Sequence, residues 1–183
     1  MNIHLLNMLN LRGRSIIDTG FKPNQDTRVI AKMALVKDNA DVAANEFFGA
    51  RTSVSSKAFA VQYNNSTGRL QYFYGNGYTQ VDADFPNIIS YCDANKNILT
   101  YNTEINRDYT YFQCEYNLYL FALNNAGTVS FQSNARLYSC KIYDNEVLVR
   151  DYYPVRDEGG AYGLYDVVNK VFVTSIVGNL NGE

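Results

Sequence analysis

The stretch "LYSCKIYDNEVLVRDYYPV", residues 137–155, decides the fold. Its first half alternates. Tyr138, Cys140 and Ile142 fall on one face of a strand, and Ser139, Lys141 and Tyr143 on the other. A period of two is the mark of a half-buried strand. Asp144-Asn145-Glu146 then reads as a turn, and Val147, Leu148 and Val149 lead into Arg150-Asp151 and Pro154. The whole is a β-hairpin with one dry face and one wet face.

The same texture extends outward in both directions. Residues 15–36 read as strand, turn and strand, with Pro23-Asn24 punctuating the turn. Residues 37–45 form a polar loop. In residues 57–65, Phe59, Val61 and Tyr63 share a face; "NNSTG" (64–68) turns the chain, and Leu70, Tyr72 and Tyr74 share the next face up to Gly75-Asn76-Gly77. "DANKN" (93–97) is a further polar turn. The nearly unbroken apolar run from Leu118 to Leu123 predicts a strand covered on both faces, mid-sandwich. Short strands at such spacing predict an all-β, two-sheet antiparallel sandwich over residues 15–183. Residues 1–14 read as an N-terminal arm. Its Leu5, Met8 and Leu9 suit one face of a short helix, while Ile3 and Leu5 equally suit a strand. That arm either docks on a neighbouring chain, with Arg12 and Arg14 pairing acidic groups there, or adds a strand to its own sheet.

Composition narrows the function. The 183 residues carry a formal net charge of −2, with 19% charged residues. No cluster of Lys and Arg exists to neutralise phosphates, so nucleic acid is not the expected partner. No apolar run approaches the ~20 residues of a membrane-spanning helix, so membrane insertion is not expected. "MNIHLLNMLNLRGR" lacks the basic start and small-residue cleavage site of a signal peptide and reads as retained. Cys92, Cys114 and Cys140 are odd in number and show no C-x-x-C spacing, and His4 is the lone histidine. They predict three free, buried thiols rather than a metal or redox centre.

Several pieces together resemble the concanavalin A-like, laminin-G-like jelly rolls, in the short form found in phage and gut-bacterial surface proteins. They are "IDTGFKPNQDTRV" (17–29), "FGARTS" (48–53), residues 116–155 and "GLYDVVNKVF" (163–172). They keep the family's order. Glu146 stands where the family's Asp-Asn-Gly turn has glycine, which leaves Asn145 to supply the left-handed conformation. The resemblance implies two antiparallel sheets packed face to face and lectin-like binding.

The candidate chemistry follows. Aromatic faces stack on sugar C–H surfaces, and side-chain amides serve hydroxyls. "QYFYGNGYTQ" therefore makes Tyr72, Tyr74, Asn76 and Tyr78 the candidate ligand-binding residues. Glycoside hydrolysis needs two carboxylates flanking one bond. No Glu-x-Asp-x-x-Glu occurs; Glu104 with Asp108 reads as exposed loop, and Asp82 with Asp84 stands without support nearby. Asp93, Asn95 and Asn97 resemble part of a calcium loop but lack its glycine and distal glutamate, so a plain turn is preferred. No catalytic residue, metal site or cofactor is assigned. The expected function is non-enzymatic, lectin-like recognition of a glycan or host surface, on a phage virion or a bacterial surface. The alternative is a structural virion protein, a head decoration or fibre subunit, meeting other subunits through the arm; a glycoside hydrolase is the third reading.

Overall fold

The computed structural model describes residues 2–36, 42–53 and 56–183, and of residues 12 and 13 the backbone alone. The first five residues of the polar loop read at 37–45 lie outside it. Among the described residues every regular element is a strand. In chain order these are β1 (Ile3–Leu5), β2 (Leu9–Asp18), β3 (Thr27–Leu35), β4 (Ala44–Arg51), β5 (Ala58–Asn64), β6 (Arg69–Gly75), β7 (Tyr78–Asp82), β8 (Ser90–Asn95) and β9 (Ile98–Tyr101). There follow β10 (Thr103–Asn106), β11 (Tyr119–Leu120), β12 (Leu123–Asn125), β13 (Thr128–Ser130), β14 (Ala135–Asp144), β15 (Val147–Asp157), β16 (Tyr162–Asp166), β17 (Val171–Val173) and β18 (Val177–Gly182).

The protein is an all-β sandwich. One sheet runs β10–β9–β8–β3–β14–β15–β16–β17. The other is the meander β4–β5–β6–β7, extended on its far side by β11, β12 and β13. All these pairings are antiparallel except β12 on β4. Strand β2 joins the two sheets. Leu9–Leu11 pair with β14, while Ile17 and Asp18 pair with β11. Between them the ladder to β18 slips, and Arg14 takes φ +60°, so the strand bends at the corner. The core lies between the sheets. Val29, Ala31, Met33, Cys140 and Ile142 come from one side, and Phe48, Phe59, Val61, Tyr72 and Tyr74 from the other. Alternation places them there, since residues two apart on a strand share a face.

The opening hairpin is present. β14 and β15 meet through Asn145 and Glu146, with Asp144 directly opposite Val147. Asn145 (φ 46°) and Glu146 (φ 66°) are both left-handed, the two-residue turn whose twist matches the flanking strands. Asn145 therefore does not act alone. Tyr138 departs from the predicted face. The β14–β3 register shifts between Leu137 and Ser139, and this bulge puts Leu137 in the core in place of Tyr138. Beyond the bulge β14 leaves β15 and accepts β2 on that edge, while β1 takes the freed edge of β15.

Residues 118–123 do not form one strand. Phe121 has φ +62°, and the chain reverses there, so that β11 lies antiparallel and β12 parallel to β4. Burial on all sides, read correctly from the run of apolar residues, comes from this reversal rather than from a central strand. Residues 2–11 form strands rather than a helix. β1 pairs with β15, and Leu9 and Leu11 are fully buried in the main core, so a single strand runs across the boundary placed after residue 14.

Candidate functional site

Tyr72 and Tyr74, assigned above to ligand contact, point inward. Both have 0% exposure. They stand on the same face as Phe59, edge-on to Tyr72, and as Phe112, edge-on to Tyr74. Their hydroxyls are also committed. Tyr72 donates to the Lys96 carbonyl, and Tyr74 donates to the Gln25 carbonyl at 2.9 Å. Burial pushes both phenols above their ordinary range. Tyr72 and Tyr74 do share a face, as the alternation predicts, and that aromatic face of β6 is the dry one. Asn76 and Tyr78 are exposed, and Tyr78 lies against Phe73 with ring centroids 4.8 Å apart. The four residues therefore do not form one surface.

The motifs that carry the family resemblance meet around Thr19. Its carbonyl accepts from Arg150 Nε (2.9 Å) and from the Tyr152 hydroxyl (3.1 Å), while its own hydroxyl donates to the Leu118 carbonyl. Asp166, fully buried, faces Arg150 at 3.6 Å and accepts from the Asp151 amide and the Asn169 side chain. Every partner here is a protein group. These contacts tie together the three segments around Thr19, and of the cluster only the buried Asp151 Oδ1 lacks a hydrogen-bond partner among the described residues.

A polar cavity of about 170 Å³ lies at one end of the sandwich, lined by Asp26, Arg28, Asn95, Lys96, Tyr143 and Glu146. Three turns build it. The Asn145 amide donates to the Asp26 carbonyl, the Lys96 amide to the Thr27 carbonyl, and Asn24 Nδ2 to Asp144. Asp93, read above as a possible calcium ligand, is held by Arg28 through two hydrogen bonds of 2.9 and 2.7 Å. Lys96 and Arg28 bring positive charge into the cavity that Asn95 also lines. The cavity instead brings donors and acceptors together beside the ring of Tyr143. The Tyr109 hydroxyl donates to Asp26 at 3.2 Å, and Tyr111 next to it is 83% exposed. Sequence reading missed this set because its members come from turns that are remote along the chain. The available signal was the turns themselves, all three of which the sequence marks.

The outer face of the meander holds a line of amides. Gln62 Nε2 donates to Gln71 Oε1 (2.5 Å), and Gln71 Nε2 donates to Gln80 Oε1 (2.8 Å). Opposite Gln62 stands Glu46, fully buried. Both Glu46 carboxyl oxygens and Gln62 Oε1 lack a hydrogen-bond partner among the described residues. Burial holds the Glu46 carboxyl well above the usual carboxylate range, and Arg51 opposes this only in part. A neutral carboxyl beside an open amide acceptor is the protonation state that this desolvation selects.

The remaining carboxylates considered for hydrolysis are scattered. Asp82 pairs with Arg69 at 2.8 Å, Asp84 is exposed, and Glu104 accepts from Asn106 on the short strand β10, which replaces the loop expected there. The three cysteines are free and buried, and burial pushes the Cys140 thiol up to about 12.

No protein-family model matches the chain, and no curated protein matches it. Among solved structures, the chain is similar to a mutant of NanB sialidase from Streptococcus pneumoniae, with a TM-score of 0.50 and 12% identity. The match covers 81% of this chain and 26% of the sialidase chain. At that identity, over about a quarter of the sialidase, the likeness is one of fold: an all-β sandwich.

Proposed function

We propose that the chain is a concanavalin A-like jelly-roll module that binds a glycan without cleaving it, displayed on a phage virion or a bacterial surface. The observation that carries this reading is the cavity between the turns at Asp26, Lys96 and Glu146. Its lining offers both hydrogen-bond donors and acceptors beside an aromatic ring, which suits a ligand rich in hydroxyls and C–H faces. The scattered carboxylates support binding over hydrolysis. The displayed setting rests on the resemblance of residues 17–29, 116–155 and 163–172.

A glycan array followed by titration of the hits tests the proposal. Tyr143→Ala and Lys96→Ala are expected to weaken binding with the fold intact. An array without hits, or hits indifferent to both variants, overturns it. Release of reducing sugar from any hit would move the protein to the hydrolases.

A structural virion role is the second reading. It is favoured by apolar side chains left in water along one side, Val167, Val168, Val171, Ile176 and Val177, and by Leu5 on β1. These are places for contacts with neighbouring subunits. Incorporation into particles with no glycan binding would select it.

A further inference from the structure

The outer face of the sheet formed by β8, β3, β14 and β15 has most of its charges settled in pairs. Arg28 holds Asp93, and Lys141 faces Asp151 at 3.4 Å. Lys32 and Arg136 differ. Among the described residues neither has a carboxylate within ion-pair distance. Lys32 stands opposite Tyr91 on one side and Ser139 on the other, and Arg136 stands opposite Ala34, two residues further along β3. Both cations therefore belong to the same face. The Lys32 ammonium lies 5.7 Å from the ring of Tyr91 and 5.7 Å from that of Tyr138. Tyr138 is the bulge residue, and the register shift is what brings it to this face. Tyr91 is 62% exposed, and Arg136 is exposed.

This patch is continuous with the cavity described above. Arg28 lines the cavity, and Lys32 lies four residues along the same strand on the same face, a rise of about 13 Å. An occupant of several sugar units spans that distance.

We propose that this face binds an acidic oligosaccharide, carboxylated or sulfated, with sugar rings on Tyr91 and Tyr138, anionic groups on Lys32 and Arg136, and one end in the Asp26–Glu146 cavity. The inference rests on the glycan-binding reading and adds the ligand's charge and length. Charge complementarity selects the occupant: Lys32, set between the two aromatic rings, and Arg136 on the same face have no carboxylate partner among the described residues, whereas Arg28 and Lys141 are paired. A nucleic acid fits less well. Two cations neutralise few of the closely spaced phosphates of a nucleic acid. The rings on either side of Lys32 distinguish the patch from a purely electrostatic one, since they favour a ligand with C–H faces.

The test is fluorescence titration of the purified chain with hexameric oligogalacturonate and a heparin hexasaccharide. A neutral cello-oligosaccharide and single-stranded oligo-dT serve as controls. Wild type is expected to prefer an acidic hexasaccharide over both controls, with affinity falling as salt rises. The double variant Lys32→Ala/Arg136→Ala should lose about tenfold for the acidic ligand and most of the salt dependence. Tyr91→Phe should retain binding and Tyr91→Ala should lose it. Neutral glycan binding that Tyr143→Ala weakens and the double variant leaves unchanged overturns this inference while the glycan-binding reading stands. Absence of binding to every glycan overturns both. Equal binding of oligo-dT overturns the assignment to a saccharide.

Discussion

At the scale of single residues, the β14–β15 turn and the buried Glu46 each carry a consequence. Asn145 and Glu146 both hold positive φ, and a side chain in that region costs about 1–2 kcal/mol relative to the right-handed one. Glycine carries no such cost. Glu146→Gly should therefore raise stability by about 0.5–1 kcal/mol, read as a higher melting temperature. The ion pair it removes, Lys96–Glu146 at 3.4 Å, is exposed and contributes little. Glu46 makes stability depend on pH. Its folded carboxyl binds a proton more tightly than the unfolded one. The native state thus holds the extra proton from the ordinary carboxylate range up to the raised value. Stability is full below that range and falls as pH rises through the interval. Glu46→Gln keeps the shape without the charge. Urea titrations across pH should show wild type weakening on the alkaline side and the variant flat there; parallel curves would contradict the assignment. The cysteines complete this scale. Alkylation of the native protein should modify none of the three, and alkylation after denaturation should modify all of them, counted by mass.

At the scale of elements, β2 matters most. Leu9 and Leu11 at its start are fully buried in the core, each contributing ~1.5–3 kcal/mol. Total stabilities of about 5–15 kcal/mol leave little room for their loss. Deletion of residues 2–11 should give a protein without cooperative unfolding, followed by circular dichroism; a folded, soluble product would show that β1 and the start of β2 are dispensable. This element also shows what was legible in the sequence. Alternation located β3, β5, β6, β14 and the turns between them, because period two is a local property. Which side of β6 faces the core is not local. Tyr72 and Tyr74 share a face in the sequence, but that face is closed by groups remote along the chain, the Gln25 and Lys96 carbonyls and the ring of Phe112. Phe121 gave no warning of a positive φ, so the reversal between β11 and β12 stayed hidden. The cavity was legible only as separate turns, since Asp26, Lys96 and Glu146 meet through the pairing of β3 with β8 and β14.

At the scale of the whole molecule, β2 and β18 determine how the protein carries load. β18 lies antiparallel to β2, from Val177 opposite Ile16 to Gly182 opposite Leu9, and the Asn7 amide donates to the Glu183 carbonyl at 2.8 Å. The first residues of β2 and the last of β18 thus sit at the same end of one ladder. A pull that separates them acts along the hydrogen bonds, perpendicular to the strands, and loads the end bond first. The bonds then open one after another, each worth about 0.5–1.5 kcal/mol net, instead of sharing the force. Tension applied through residues 9 and 182 should peel β18 away at low force while the meander β4–β7 holds, a sequence that an optical trap would record as a small early extension before the main rupture. A handle at residue 182 paired with one on β7 would load the sandwich by a different path, and the early step should vanish.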